Sequence, residues 1–157
     1  MSIIVIDASA GVEIVANTRR GRTVARLIPP DSQGWVPEHF YAEVLAVLRR
    51  QFLVEAKITE AQASAAVSRL TAWHLHHASV APLVPAAWHY RHNMTAADAL
   101  YVALAESLGG DLLTDDHQLS LLSDLATTAR ERDAVVRSGC ARLGRRRAER
   151  TGASAAC

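Results

Sequence analysis

The segment that most constrains the fold is "TAADALYVALAESLGGDLLT", at positions 95–114. Alanine and leucine fill a helical body that opens with a capping pair, Thr95 and Asp98, and closes at Gly109 and Gly110. A short apolar strand, "DLLT", follows after a very short loop. A helix that runs back to feed such a strand is the repeating unit of a parallel α/β sheet.

The rest of the chain, up to about Ser123, repeats this alternation. Strands are predicted at "SIIVID", "GWVP" and "ASVAPLV". Helices are predicted at "AGVEIVA", "RTVARLI", residues 38–54, "EAQASAAVSRLTAW" with its Thr59–Gln62 capping box, and "PAAWHYRHN". Strands and helices joined in turn by short loops predict an α/β fold with a mostly parallel sheet.

The composition predicts one globular domain with a basic extension. The chain has 157 residues, half of them apolar, which is enough to bury one core. We predict a domain over 1–136, with a weak last element near Val135 and Val136, and a disordered basic tail over 137–157. Residues 130–150 hold eight arginines against three acids, whereas residues 1–129 hold nine basic and thirteen acidic side chains. An acidic body suits a pocket for cations, and a basic tail suits phosphates.

The cysteines and the N-terminal run indicate the compartment. Cys140 and Cys157 both lie in the tail, too few for a disulfide framework or a zinc site, which fits a reducing cytoplasm. The run "SIIVIDASAGVEIVA" lacks a basic leader and is broken by Asp7, so we expect neither a signal peptide nor a membrane span. The expectation is a cytoplasmic protein with no membrane partner.

Several carboxylates are expected to meet at one edge of the sheet, because ligands of parallel α/β sheets lie outside the carboxyl ends of the strands. Asp7 ends the first strand, and the pair Asp115 and Asp116 ends the "DLLT" strand. Asp98 opens the helix that feeds that strand, and Glu43 lies early in its own helix at the same level.

Carboxylates that converge in this way repel one another unless a cation compensates, and oxygen ligands suit Mg²⁺ or Mn²⁺. Such an ion orients a phosphodiester and activates water, so the inferred chemistry is metal-assisted phosphodiester hydrolysis. Each residue also has a purely structural interpretation: Asp7, Asp98 and one of the paired aspartates as caps, and Glu43 as a solvated side chain. A phosphatase with Asp7 as nucleophile would want a second aspartate at position 9, where Ser9 stands.

Three segments, in this order, carry a family resemblance: "IVIDASAGVEI", "VPEHFYAEVLAVLRR" and "MTAADALYVALAESLGGDLLTDDHQL". They span most of residues 3–119, and the chain there resembles the PIN-domain ribonucleases and, among them, the VapC-type toxins of bacterial toxin–antitoxin pairs. The resemblance implies four acidic metal-site positions, which are Asp7, Glu43, Asp98 and Asp116. Ser9 and Thr114 match small hydroxyl positions that orient carboxylates or water, and Asp115 becomes an accessory ligand or an exposed charge.

By the same resemblance the fold is a Rossmann-like α/β/α sandwich, and the activity is Mg²⁺-dependent endonucleolytic cleavage of RNA, with Mn²⁺ as the alternative ion. The implied partners are the RNA substrate, a small cognate antitoxin of the VapB type that blocks the acidic pocket, and a second copy of the chain in a homodimer.

The chain departs from the family after "LLTDD", where it offers only "DAVV" and then a long arginine-rich run. The alternative function is therefore a catalytically weak module on the same fold that binds RNA or the antitoxin.

Overall fold

The centre of the molecule is a four-stranded parallel sheet. The computed structural model describes residues 2–115, so the predicted boundary at residue 136, the element near Val135 and the tail lie outside the described residues. The strands lie in the order β3-β2-β1-β4. They are β1 (Ile3–Ile6), β2 (Gln33–Pro37), β3 (His76–Ala78) and β4 (Asp111–Leu113).

Helices connect these strands and cover the sheet. Within residues 2–115 they are α1 (Ala8–Val15), α2 (Arg19–Ala25), α3 (Phe40–Arg49), α4 (Glu60–Ala72), α5 (Val84–Trp88) and α6 (Ala96–Leu108). A π-helical turn over Arg50–Val54 extends α3, and a 3₁₀ turn over Ala81–Leu83 precedes α5. None of the helices in this part of the chain is both long enough and apolar enough to cross a membrane.

The order of the strands places helices on both faces of the sheet. The chain steps outward from β1 through β2 to β3 and then returns to add β4 on the other side of β1. Right-handed crossovers put α1 to α4 on one face and α5 and α6 on the other, where α6 packs against β1 and β2. The predicted α/β fold with a parallel sheet is confirmed, and the change of direction opens a crevice beyond the carboxyl ends of β1 and β4.

The core joins the sheet to both helical layers. Its large side chains with almost no exposed surface include Val5 of β1, Val36 of β2, Phe40 and Val44 of α3, and Tyr101 of α6. The predicted ends of this helix are present: Thr95 caps α6, and Gly109 ends it in the left-handed conformation at φ 62°. The helix therefore returns directly into β4.

The prediction of a strand at "ASVAPLV" is wrong. The third strand ends at Ala78, and this segment instead forms the 3₁₀ turn and the start of α5. The reason is that Pro82 and Pro85 both stand in the first turn of a helical segment, where a missing N–H costs nothing, whereas in a strand each would remove a ladder hydrogen bond. The predicted helix over "PAAWHYRHN" is also shorter than expected, because α5 ends at Trp88.

Helices α1 and α2 are joined by an unusually close backbone contact. A Cβ atom on Gly21 would lie 1.8 Å from the carbonyl oxygen of Glu13 and 2.3 Å from its carbonyl carbon. Because the obstacle is backbone, no side-chain rotation can relieve it. Only glycine allows α2 to lie where it does.

We expect Gly21→Ala to lower the free energy of unfolding by about 2–3 kcal/mol, because α2 must move away from α1 to admit the methyl group. Urea denaturation followed by circular dichroism measures the change. The control is Thr23→Ala, an exposed position on the same helix, for which we expect less than about 0.5 kcal/mol. Equal stability of the two variants would contradict the close contact.

Candidate active site

Asp7 is the most buried acidic side chain at the carboxyl end of the sheet, with 5% of its surface exposed. It is the N-cap of α1, where its Oδ2 accepts a hydrogen bond from the backbone N–H of Ser9 at 3.3 Å. The same oxygen accepts the hydroxyl of Ser9 and, at 2.9 Å, the hydroxyl of Thr114. The capping role considered for Asp7 is therefore present, and it also fixes the direction in which the carboxylate points.

Ser9 and Thr114 link the end of β4 to the start of α1. Their hydroxyl oxygens lie 3.2 Å apart, and the backbone N–H of Asp115 donates to the Ser9 hydroxyl at 3.0 Å. The backbone N–H of Asp7 in turn donates to the carbonyl of Leu113 at 2.9 Å. These contacts hold the ends of β1 and β4 together at the crevice.

Glu43 is held by a tyrosine from the opposite helical layer. The Tyr101 hydroxyl donates to Glu43 Oε2 at 2.6 Å, although the tyrosine side chain is fully buried. Burial, and then the hydrogen bond and charge of Glu43 and the charge of Asp7, raise the pKa of Tyr101 well above its usual value. Tyr101 thus remains a hydrogen-bond donor and lies within the electrostatic reach of both carboxylates.

His39 adds a ring to this cluster. Its centroid lies 4.9 Å from that of Tyr101, and its Nε2 lies 3.4 Å from Glu43 Oε2 without the geometry of a hydrogen bond. Among residues 2–115, neither buried ring nitrogen of His39 finds a hydrogen-bond partner. The ring therefore packs beside Glu43 without fixing the direction of its carboxylate.

Asp98 lies in the first turn of α6, one helical turn before Tyr101 and on the same face. The Thr95 hydroxyl accepts the backbone N–H of Asp98 at 3.2 Å and donates to its Oδ2 at 2.7 Å. The predicted pairing of Thr95 with Asp98 is therefore present, and both of its hydrogen bonds involve the Thr95 hydroxyl. Asp98 is only partly buried.

Of the paired aspartates of "LLTDD", only Asp115 lies within the described residues. Asp115 forms an ion pair with Arg20 of α2, whose Nε lies 2.5 Å from Asp115 Oδ1. The resemblance left Asp115 as an accessory ligand or an exposed charge, and in the structure its carboxylate pairs with Arg20. Asp116 lies outside the described residues.

The three described acidic positions share one pattern. Each carboxylate uses a single oxygen for its hydrogen bonds, and within residues 2–115 no donor contacts the second oxygen of Asp7, Glu43 or Asp98. Uncommitted carboxylate oxygens are suitable ligands for Mg²⁺ or Mn²⁺. However, no three Asp, Glu, His or Cys side chains in the described part are arranged to hold one ion. The donor chemistry fits such an ion, and the full ligand set stays a prediction.

The sequence patterns missed three side chains at this site: Tyr101, His39 and Arg20. Two of them carried a local signal, since Tyr101 follows Asp98 by three residues and His39 precedes Glu43 by four, spacings that share a helix face. Arg20 carried no local signal in the sequence, because its partner, Asp115, is 95 positions away.

Several known proteins are similar to this chain in sequence. The PIN domain family model matches residues 4–125. Ribonuclease VapC12 of Mycobacterium tuberculosis is 35% identical over 118 residues, covering 75% of this chain and 90% of the relative. Ribonuclease VapC3 of the same organism is 36% identical over 117 residues, covering 74% and 85%, and ribonuclease VapC1 is 38% identical over 117 residues, covering 74% and 87%.

A solved structure agrees in fold. The crystal structure of VapC20 from Mycobacterium tuberculosis, described as a toxin that cleaves the sarcin–ricin loop, superposes with a TM-score of 0.57. The match covers 76% of this chain and 94% of that chain at 19% identity. At this identity the likeness establishes the shared fold.

Tyr101 should not ionise at the ordinary pH for a tyrosine while the protein is folded. We expect the tyrosinate absorbance of the wild-type protein and of Tyr101→Phe to rise equally near pH 10, and the wild type to gain one further tyrosine only in denaturant. Because only the unfolded chain releases this proton, the free energy of unfolding should fall above about pH 10, and less steeply in the variant. An additional titration step near pH 10 in the folded wild type would contradict the buried hydrogen bond.

Proposed function

The chain belongs to the PIN-domain family, among the VapC ribonucleases, and from this premise we propose that it is a metal-dependent endoribonuclease that acts as the toxin of a toxin–antitoxin pair. The single observation that carries the proposal is the arrangement at the crevice. Asp7 and Glu43 come from different elements, yet both lie within the electrostatic reach of the Tyr101 hydroxyl, and each keeps one oxygen uncommitted.

We propose that Asp7, Glu43, Asp98 and Asp116 hold Mg²⁺, with Mn²⁺ as the alternative ion. Bound there, the ion would polarise a phosphoryl oxygen of RNA and generate a nucleophile from water. The protein's own contribution is orientation: Ser9 and Thr114 fix Asp7, Tyr101 fixes Glu43 and Thr95 fixes Asp98. Supporting contacts of this kind typically contribute 10- to 100-fold to metal affinity or activity.

The proposed partners are an RNA substrate and a cognate antitoxin of the VapB type that covers the acidic crevice. The similarity to VapC ribonucleases along three quarters of the chain supports both. A reducing cytoplasm is the proposed compartment, because the chain has only two cysteines and both stand in the tail. The weak binding module remains the alternative, and the next experiment separates it from the enzyme.

We expect Asp98→Asn to reduce Mg²⁺-dependent cleavage of total cellular RNA about 100-fold or more, because it replaces a carboxylate oxygen with an amide at the proposed metal site. Addition of EDTA to the wild-type protein should abolish the same fragments. The matched control is Glu60→Gln, which removes a carboxylate from the first turn of another helix with a threonine cap and should leave cleavage unchanged.

Intact RNA with the wild-type protein under both Mg²⁺ and Mn²⁺, together with retained RNA binding, would favour the binding module. Cleavage that survives both EDTA and Asp98→Asn would show instead that the acidic positions are not the catalytic centre. Thermal unfolding of each variant confirms that it is folded.

A homodimer is also part of the proposal. An apolar groove of about 460 Å³ lies between α5 and α6, and Val84 and Trp88 beside it are 53% and 67% exposed. An exposed apolar groove of this kind suits an interaction surface, and we assign it to the second copy.

Trp88→Ser should therefore shift the mass measured by light scattering from dimer toward monomer, because the exposed indole would lose its contact with the partner. Leu27→Ser is the control, since Leu27 is 65% exposed and does not line the groove. An unchanged dimer in Trp88→Ser would exclude this surface.

A further inference from the structure

Helix α2 and its C-cap residue, Arg26, carry the densest positive charge of the described part of the chain. Arg19, Arg20, Arg22 and Arg26 are four of the nine basic residues among positions 1–129. No acidic residue occurs between positions 14 and 30. The helix and its flanks therefore form a concentrated basic surface on a body that is acidic overall.

Three of these arginines share one face. Positions 19, 22 and 26 follow the i, i+3, i+7 spacing that aligns side chains along a helix, and we call these three residues the α2 arginine face. All three are exposed, whereas Gly21 and Val24 are buried on the other side. The span along the helix axis is about 10 Å, which is long enough for more than one phosphate.

Nothing in the described structure neutralises this face. Among residues 2–115, no carboxylate forms an ion pair with Arg19, Arg22 or Arg26. The guanidinium of Arg22 donates to the carbonyl of Asn17 at 2.7 Å, which leaves its charge uncompensated.

The arginine face contributes little to the stability of α2. Like charges three or four positions apart repel, and Arg19 in the first turn opposes the helix dipole, whereas the dipole favours Arg22 in the last turn. The helix depends instead on its Thr18 cap and on the packing of Gly21 and Val24. The charges are thus best explained by an anion from outside the described residues.

Arg20 connects this helix to the candidate active site. Its Nε pairs with Asp115 Oδ1 at 2.5 Å, and the Asp115 backbone N–H donates to the Ser9 hydroxyl, which bonds Asp7. A chain of direct contacts therefore runs from α2 to the most buried carboxylate of the site.

We propose that the α2 arginine face binds the phosphate backbone of an RNA strand and holds it beside the acidic crevice. The inference rests on the proposed function and names a surface of the enzyme that contacts the substrate. Guanidinium groups form paired hydrogen bonds with phosphate oxygens, and each neutralised phosphate releases counterions. Between these arginines the exposed face carries Thr23 and no large apolar residue, which favours a polyanion over a protein partner, whose interface core would be apolar.

The test uses the full chain with Asp98→Asn in every protein, so that RNA is bound and not cut. The test variant adds Arg19→Gln, Arg22→Gln and Arg26→Gln, and the control variant adds Arg49→Gln, Arg50→Gln and Lys57→Gln. Both lose three positive charges, but Arg50 and Lys57 of the control already pair with Glu55. The tail arginines are present in both. Circular dichroism melting confirms that both fold.

Binding of a fluorescein-labelled, mixed-sequence single-stranded RNA is followed by anisotropy at several KCl concentrations. We expect the test variant to raise Kd at least tenfold at low salt and to reduce the slope of log K against log salt by about 2, which corresponds to three lost phosphate contacts. The control variant should change Kd less than threefold.

Equal losses in the two variants would overturn the proposal, because net charge alone would then explain binding. Unchanged RNA binding by the test variant would also overturn it, while metal-dependent RNA cleavage by the wild-type protein would leave the proposed function in place. A test variant that binds RNA normally but loses affinity for a polyglutamate peptide would overturn it in favour of an acidic protein partner.

Discussion

One carboxylate organises the carboxyl end of the sheet. The side chain of Asp7 caps α1 and accepts both the Ser9 and the Thr114 hydroxyl, while its backbone N–H extends the hydrogen bonds to β4. Three elements therefore meet at a single buried group, and the crevice exists because the strand order reverses next to it. The structural role of Asp7 as a cap is compatible with the chemical role proposed for it, because the cap uses only Oδ2 and leaves Oδ1 uncommitted.

Glu43 and Asp98 are also held through one carboxylate oxygen each, but by fewer hydrogen bonds than Asp7. Tyr101 holds Glu43, and Thr95 holds Asp98, in each case through one oxygen of the carboxylate. The donors are hydroxyl groups without charge, so they orient the carboxylates and leave their negative charge available to a cation. An arginine or lysine in the same places would have cancelled that charge, as Arg20 does for Asp115.

Much of this arrangement could be predicted from the sequence, because it depends on neighbours along the chain. The cap at Thr95, the left-handed end at Gly109 and the alternation of strands with helices need only local patterns, and they predicted the parallel sheet. The error at "ASVAPLV" arose where an apolar run fits a strand or a helix equally well, and the two prolines decided for the helix. The contacts of Tyr101 with Glu43 and of Arg20 with Asp115 join residues 58 and 95 positions apart, so they depend on which elements become neighbours in space.

The close contact between α1 and α2 has a consequence for recognition. The backbone at Gly21 lies directly against the Glu13 carbonyl, and Val24 is buried beside it, so α2 is packed closely on α1. Its arginines therefore project from a helix that is capped by Thr18 and packed closely against α1. A ligand that binds there need only restrict side-chain rotation and not backbone motion, so less conformational entropy is lost on association than with a flexible basic loop of the same charge. A single residue without a side chain thus helps to preorganise the most basic helix within residues 2–115.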